Sequence, residues 1–138
     1  MNMRKIAIGL MGMISIAFAD NLDSFSDVQD ALTKGKSVRV VVDFSKCDSN
    51  AKLQMQLIVE PNMFKVYPKV INFFIDGLAL NNPSYVNTPV YEHTQYVIKD
   101  NDMVEIWGTI ISADKTKILS QVDKPIICKL GKGAKVFD

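Results

Sequence analysis

Histidine and tryptophan occur once each in this chain of 138 residues, and cysteine only twice. Neither sign of charge prevails: 16 Lys+Arg stand against 15 Asp+Glu, a formal net charge of +1. One imidazole and two thiols, with no C-x-x-C pair, do not make a usual zinc set. The near-neutral balance excludes a strongly basic nucleic-acid binder. Neither the G-x-S-x-G elbow of a serine hydrolase nor the G-x-x-x-x-G-K-[ST] phosphate loop occurs. The most apolar run, residues 6–18, falls short of the ~20 residues that cross a bilayer. Charged residues reach only 22% and no low-complexity tract interrupts the chain, so wholesale disorder is excluded and the length fits one domain.

What is present begins with an address. Arg4 and Lys5 precede the apolar run, and the small residues Ala17 and Ala19 stand just before Asp20. A positive start, a short apolar core and small residues at its end are the parts of a secretory signal peptide. Residues 1–19 are therefore expected to be removed, leaving 20–138 as a single domain in the periplasm or the medium, with no stable membrane insertion. Cleavage takes away Arg4 and Lys5 and no acid, so the remainder carries one more acid than base. The first cysteine, Cys47, lies far from the cleavage region, which disfavours a lipid anchor. In an oxidising compartment two cysteines most often pair, so a Cys47–Cys128 bridge is expected, with a reactive thiol and a metal site as the competing readings. The loop it closes would restrict the unfolded chain by about 4 to 5 kcal/mol on the chain-entropy model.

The periodicity then predicts one helix followed by strands. Ser26 and Gln29 have the spacing of a capping box, Val28, Ala31 and Leu32 form an apolar stripe, and Gly35 supplies a stop. Residues 37–44 are nearly continuously β-branched, as in a strand covered on both faces. Residues 51–60 alternate, with Ala51, Leu53, Met55, Leu57 and Val59 on one side, until Pro61. Residues 64–67 and 70–75 read as strands separated by Pro68, and 81–84 as a turn. Residues 90–99 and 103–112 flank Asp100, Asn101 and Asp102 as a hairpin. The last strands are 118–122 and 125–130, and 131–135 is expected to be a flexible basic tail. The fold class is mainly β (α+β with one short N-terminal helix), an antiparallel sheet curled into a β-barrel or a two-layer sandwich.

The hairpin register decides which side chains share a face. Opposing Ile98 with Val104 and Tyr96 with Ile106 collects those four and Ile110 on one apolar face. Tyr91, His93, Gln95, Glu105, Trp107 and Thr109 then lie together on the other. Tyr91, His93, Gln95 and Trp107 have the composition of a recognition patch, unless another element covers them. Glu92 turns toward the apolar side, where desolvation would raise its pKa as a general acid or base requires; at the strand's end it reaches water instead. Asp100 and Asp102 in one turn are a weak calcium signal without the remainder of a loop. No catalytic set, metal site or cofactor is expected.

The helix end Ala31 to Lys36, the valine-rich strand that follows, and Asp43, Phe44, Ser45, Lys46 and Cys47 after it resemble the VirK protein family. The segment from Pro89 to Tyr96 is also similar. These are small exported proteins of Gram-negative bacteria associated with virulence gene clusters. The resemblance implies export, a link to host interaction and a compact domain. It supplies no reaction and no catalytic residues, while Cys47 matches the family's cysteine. The expected function is a non-enzymatic accessory protein that binds a protein or surface partner. The alternatives are a carrier holding a small molecule inside a β-barrel, and an enzyme using Glu92 or His93.

Overall fold

The computed structural model describes residues 19–48 and 53–138; the expected signal peptide lies outside the described residues except for Ala19. The helix α1 runs Phe25–Thr33. Its N-cap is Ser24 rather than Ser26: the Ser24 hydroxyl accepts the amide of Asp27 at 3.2 Å and donates to the Asp27 carboxylate at 2.6 Å. A first-turn acid also suits the positive end of the helix, so Ser24 and Asp27 do the work assigned by spacing to Ser26 and Gln29. Gly35, at φ +76°, ends the helix in a left-handed turn. The amide of Lys36 reaches back to the carbonyl of Ala31 and that of Gly35 to Leu32, both at 3.0 Å, which satisfies carbonyls the helix cannot.

Among the described residues nine strands follow: β1 (Arg39–Asp43), β2 (Gln56–Val59), β3 (Lys65–Val66), β4 (Val70–Ala79), β5 (Val90–Lys99), β6 (Met103–Ser112), β7 (Ile118–Gln121), β8 (Ile126–Lys129) and β9 (Ala134–Phe137). They form two antiparallel sheets. The smaller has the order β2-β1-β9, and the larger β3-β4-β5-β6-β7, with β8 pairing the first half of β6 beside β7. The sheets do not close into a barrel; of the two architectures the sequence left open, the two-layer one is present. Among the described residues no helix is long and apolar enough to cross a membrane.

The core lies between the layers. Val40 and Val42 of β1, Ala134 and Val136 of β9, and Phe25, Val28 and Ala31 of α1 meet Ile71, Phe73, Tyr96, Ile98, Val104 and Ile106 of the large sheet. Only the half of the large sheet next to the β5–β6 turn is covered in this way. Residues 90–94 of β5 and 108–112 of β6 contribute nothing to this cluster.

Three strand expectations are corrected. β1 is covered on one face only: Val40 and Val42 are buried, whereas Arg39 is exposed and Val41 half-buried. The alternating segment 51–60 forms a strand only over Gln56–Val59, and Leu53 and Met55 are exposed, because its pairing with β1 begins at Gln56 opposite Asp43. Ala51 and Lys52 lie outside the described residues. The supposed flexible tail is β9, and it completes the small sheet with Ala134 opposite Val42 and Val136 opposite Val40. Its short apolar pattern was hidden behind lysines that point to water.

Cys47 and Cys128, 81 positions apart, are bonded, with Cα atoms 4.4 Å from each other. The bond joins Cys47, which follows the 3-10 turn Phe44–Lys46 after β1, to β8, that is, one layer to the other. Gly133 passes directly over it: a Cβ there would stand 2.8 Å from the Cys47 sulfur and 3.1 Å from the carbonyl oxygen of Lys46. Only glycine lets the chain enter β9 so close to the bridge.

Candidate interaction face

The hairpin adopts the expected register, with Tyr96 opposite Ile106, Gln95 opposite Trp107 and His93 opposite Thr109. Cross-strand partners share a face, so β5 and β6 direct Tyr91, His93, Gln95, Trp107 and Thr109 away from the core. β4 extends that face, since Phe74 stands opposite Gln95, Asp76 opposite His93 and Leu78 opposite Tyr91. The four residues chosen from the sequence are thus brought together. Each is half-buried, Trp107 included, so the patch is neither sealed nor fully open.

Three contacts to aromatic rings and one hydrogen bond organise it, among them the Lys65 ammonium 6.0 Å from the centre of the Phe74 ring. The Phe74 ring stacks on His93 with centroids 5.3 Å apart and planes at 28°. His93 Nδ1 hydrogen-bonds the carboxylate of Asp76, with side-chain exposures of 36% and 63%. Lys115 places its ammonium 4.2 Å from the centre of the Tyr91 ring, a cation–π contact. Lys115 itself is held at φ +60° in the turn after β6. Asp114 fixes that turn by accepting from the hydroxyl of Ser112 at 2.5 Å and from the amide and hydroxyl of Thr116 at 3.1 and 2.8 Å. The Ser112 bond first, then those from Thr116, hold the Asp114 carboxyl below its ordinary range.

Phe74, Asp76 and Lys115 were missed at the level of sequence. Residues 70–75 read as a strand ending before Asp76, whereas β4 runs on to Ala79. Phe73, Phe74 and Ile75 are consecutive apolar residues and Gly77 follows Asp76, so no alternation carries the strand past Ile75, and its second half shows only in the pairing with β5.

Glu92 faces the other way, opposite Ile110 and Gly77. It is half-buried and accepts a 2.7 Å hydrogen bond from the side-chain amide of Asn82, so the turn before β5 supplies it with a partner. Glu92 and His93, as neighbours on one strand, project from opposite faces and do not meet over a common substrate. Asp102 is also engaged: its carboxylate accepts the amide of Phe25 at 2.7 Å, joining the hairpin turn to the start of α1.

A wider cleft, about 570 Å³, opens between the ends of β1 and β9 and the segment after β2. Its charged lining is already paired, Lys36 with Asp138 and Arg39 with Glu60. Among the described residues the sheets form no closed barrel, the architecture on which the carrier reading was built.

Comparison with known proteins places this geometry in a family. No curated protein matches the chain. A VirK family protein from Legionella pneumophila, solved as a crystal structure, superposes with a TM-score of 0.79 at 25% sequence identity, covering 86% of this chain and 98% of that one. The family model for VirK protein matches residues 21–116, from the strand-like segment before α1 to the turn after β6, and on that match the chain belongs to the VirK family.

Proposed function

We propose that this protein is an exported, non-enzymatic accessory protein that binds a protein partner through the outer face of β4, β5 and β6. Membership of the VirK family suggests a virulence-associated role. The observation that carries the reading is the assembly on one face of Phe74, Tyr91, His93, Gln95 and Trp107, aromatic and hydrogen-bonding side chains that the core does not use. Interface centres are enriched in such residues, and a monomer gains nothing by presenting them to water.

Two features support export. The disulfide belongs to an oxidising compartment. Asp20, the first residue after the expected cleavage point, is tied into the fold by its amide, which donates to the Asp138 side chain at 2.9 Å. Cleavage there turns that amide into the terminal ammonium, which still has the Asp138 carboxylate as its partner.

The test is a photo-crosslinking amino acid placed at Trp107 in living cells, with the same probe at exposed Lys46 as control. A discrete adduct at position 107 and none at 46 is the expected result. Equal labelling at both positions, or none at 107 while the variant melts like the parent, removes the interaction reading.

A further inference from the structure

The edge of the large sheet next to this face is unfinished. β4 is ten residues long, yet β3 pairs only with Ile71 and Asn72. Among the described residues, nothing pairs with 73–79 on that side. The amide of Tyr67 donates to the carbonyl of Val70 at 2.8 Å, so the backbone groups of Val70, and by alternation those of Asn72, Phe74, Asp76 and Leu78, point toward β3. β3 ends at Asn72. The amides and carbonyls of Phe74, Asp76 and Leu78 are left aimed at open space.

That space is a groove. A cleft of about 270 Å³ runs along the edge, lined by Glu60, Met63, Lys65, Asn72, Phe74 and Asp76 among others. The side-chain oxygen of Asn72 is buried there without a hydrogen-bond donor among the described residues. Buried acceptors in folded proteins are almost always satisfied, so this one marks a place that a donor would fill. Exposed edges are ordinarily blunted by charge, proline or a bulge. The open stretch carries only the single charge of Asp76, with no proline or bulge, and Phe74 and Leu78 are 37% and 52% exposed. The opposite edge, β7, is managed: it is four residues long and its register slips between Ile110 and Ile111.

We infer that the edge of β4 accepts an extended segment of a partner protein as an added strand, with a basic residue opposite Asp76. This rests on the interaction reading above and specifies the form of the partner. Charge selects the occupant. Asp76 sits at the middle of 73–79, so a second copy of this chain, pairing antiparallel about that centre, would set carboxylate against carboxylate. A lysine or arginine in the same place meets Asp76 on the outer face. The Asp76 carboxylate is exposed although it already bonds His93, and it lies beside the Phe74 ring, over which Lys65 Nζ stands at 6.0 Å. Its neighbours two residues away on either side fall opposite Phe74 and Leu78 and are apolar. The recognised pattern is therefore apolar-x-basic-x-apolar, with main-chain bonds giving affinity and the alternate side chains giving specificity.

The probe is a capped heptapeptide of alternating threonine and valine with lysine at its centre, compared with the same peptide carrying glutamate there. Titration into the 15N-labelled mature protein is expected to shift and slow the exchange of the Phe74, Asp76 and Leu78 amides. The glutamate peptide should bind about tenfold more weakly. Asp76→Lys should reverse that order, and if that variant does not fold, Asp76→Asn should abolish the difference. Equal response to both peptides, or none at these three amides, overturns the inference. Perturbation confined to Tyr91, Gln95 and Trp107 also overturns it while leaving the face reading intact. Protection of the edge that grows with protein concentration alone assigns it to a second copy instead.

Discussion

At the scale of single residues, Tyr96 is the least comfortable member of the core. Its ring stacks on Phe73 at 4.5 Å with planes 5° apart, and it is fully buried. Its hydroxyl is buried with no hydrogen-bond partner among the described residues. A polar atom so placed costs about 1 to 3 kcal/mol, whereas the ring alone contributes only favourable packing. Tyr96→Phe is therefore expected to leave stability unchanged or raise it by up to ~2 kcal/mol, measured as a shift in urea midpoint at constant slope. Burial also pushes the Tyr96 hydroxyl far above its usual range. A proton held more tightly in the folded state gives stability that is complete below the unfolded value, about pH 10, and is lost as pH rises beyond it. The parent should consequently lose stability more steeply than Tyr96→Phe above that pH. A phenylalanine variant less stable than the parent at neutral pH would show that the hydroxyl has a partner after all.

At the scale of elements, the outcome depended on how local each signal was. The boundaries and register of the β5–β6 hairpin were legible because twenty residues of alternation admit one pairing that gathers Tyr96, Ile98, Val104 and Ile106. β9 was not, because Ala134 and Val136 are too few to show a period, and what makes them a strand is β1, far away in sequence. β2 was overdrawn for the converse reason: alternation through Leu53 and Met55 is real, but no layer lies beneath them. The face was half legible, its β5 and β6 residues from the register and its β4 residues only from pairing. One link between elements has no local signal at all. Asp102 adopts φ +62° in the hairpin turn, its carboxylate receives the Phe25 amide, and its carbonyl receives the Leu130 amide at 2.9 Å. Asp102→Ala removes the acceptor for a helix-start donor and leaves a methyl group in the left-handed region, for an expected loss of about 1 to 3 kcal/mol. Asp102→Asn tolerates that conformation and keeps an acceptor oxygen, so it should cost less than half as much. Equal losses in the two variants would mean that the Phe25 bond contributes nothing.

At the scale of the whole molecule, the question is what keeps two small layers together. The small sheet has three strands, and only half of the large one rests on it. Apolar contact is limited, and the far halves of β4, β5 and β6 extend beyond the core to present the interaction face and the open edge. Such an arrangement suits recognition because this half, in which Val90 is fully buried and the other β5 and β6 residues half-buried, is held by long strands anchored elsewhere. It also leaves the layer contact needing reinforcement. The Cys47–Cys128 bond supplies it by tying the segment after β1 to β8, beside the backbone pair of Asp48 with Ile127, and Gly133 lets β9 close over the sulfurs. Domains of this size are stable by only about 5 to 15 kcal/mol, and a loop of this length restricts the unfolded chain by about 4 to 5 kcal/mol on the entropy model. The double variant Cys47→Ser, Cys128→Ser should therefore lose a large share of total stability without losing its fold in the cold. The far-ultraviolet spectrum at low temperature should match the parent, while the urea midpoint falls sharply and the parent treated with reductant falls to a similar value. Gly133→Ala should lose stability in the oxidised parent, where its Cβ meets the Cys47 sulfur, and less in the double variant, where the bridge that fixes that sulfur is gone. Equal effects of Gly133→Ala in both backgrounds would place its role in the backbone alone, and an unchanged midpoint in the double variant would mean that the layers hold by packing without the bridge.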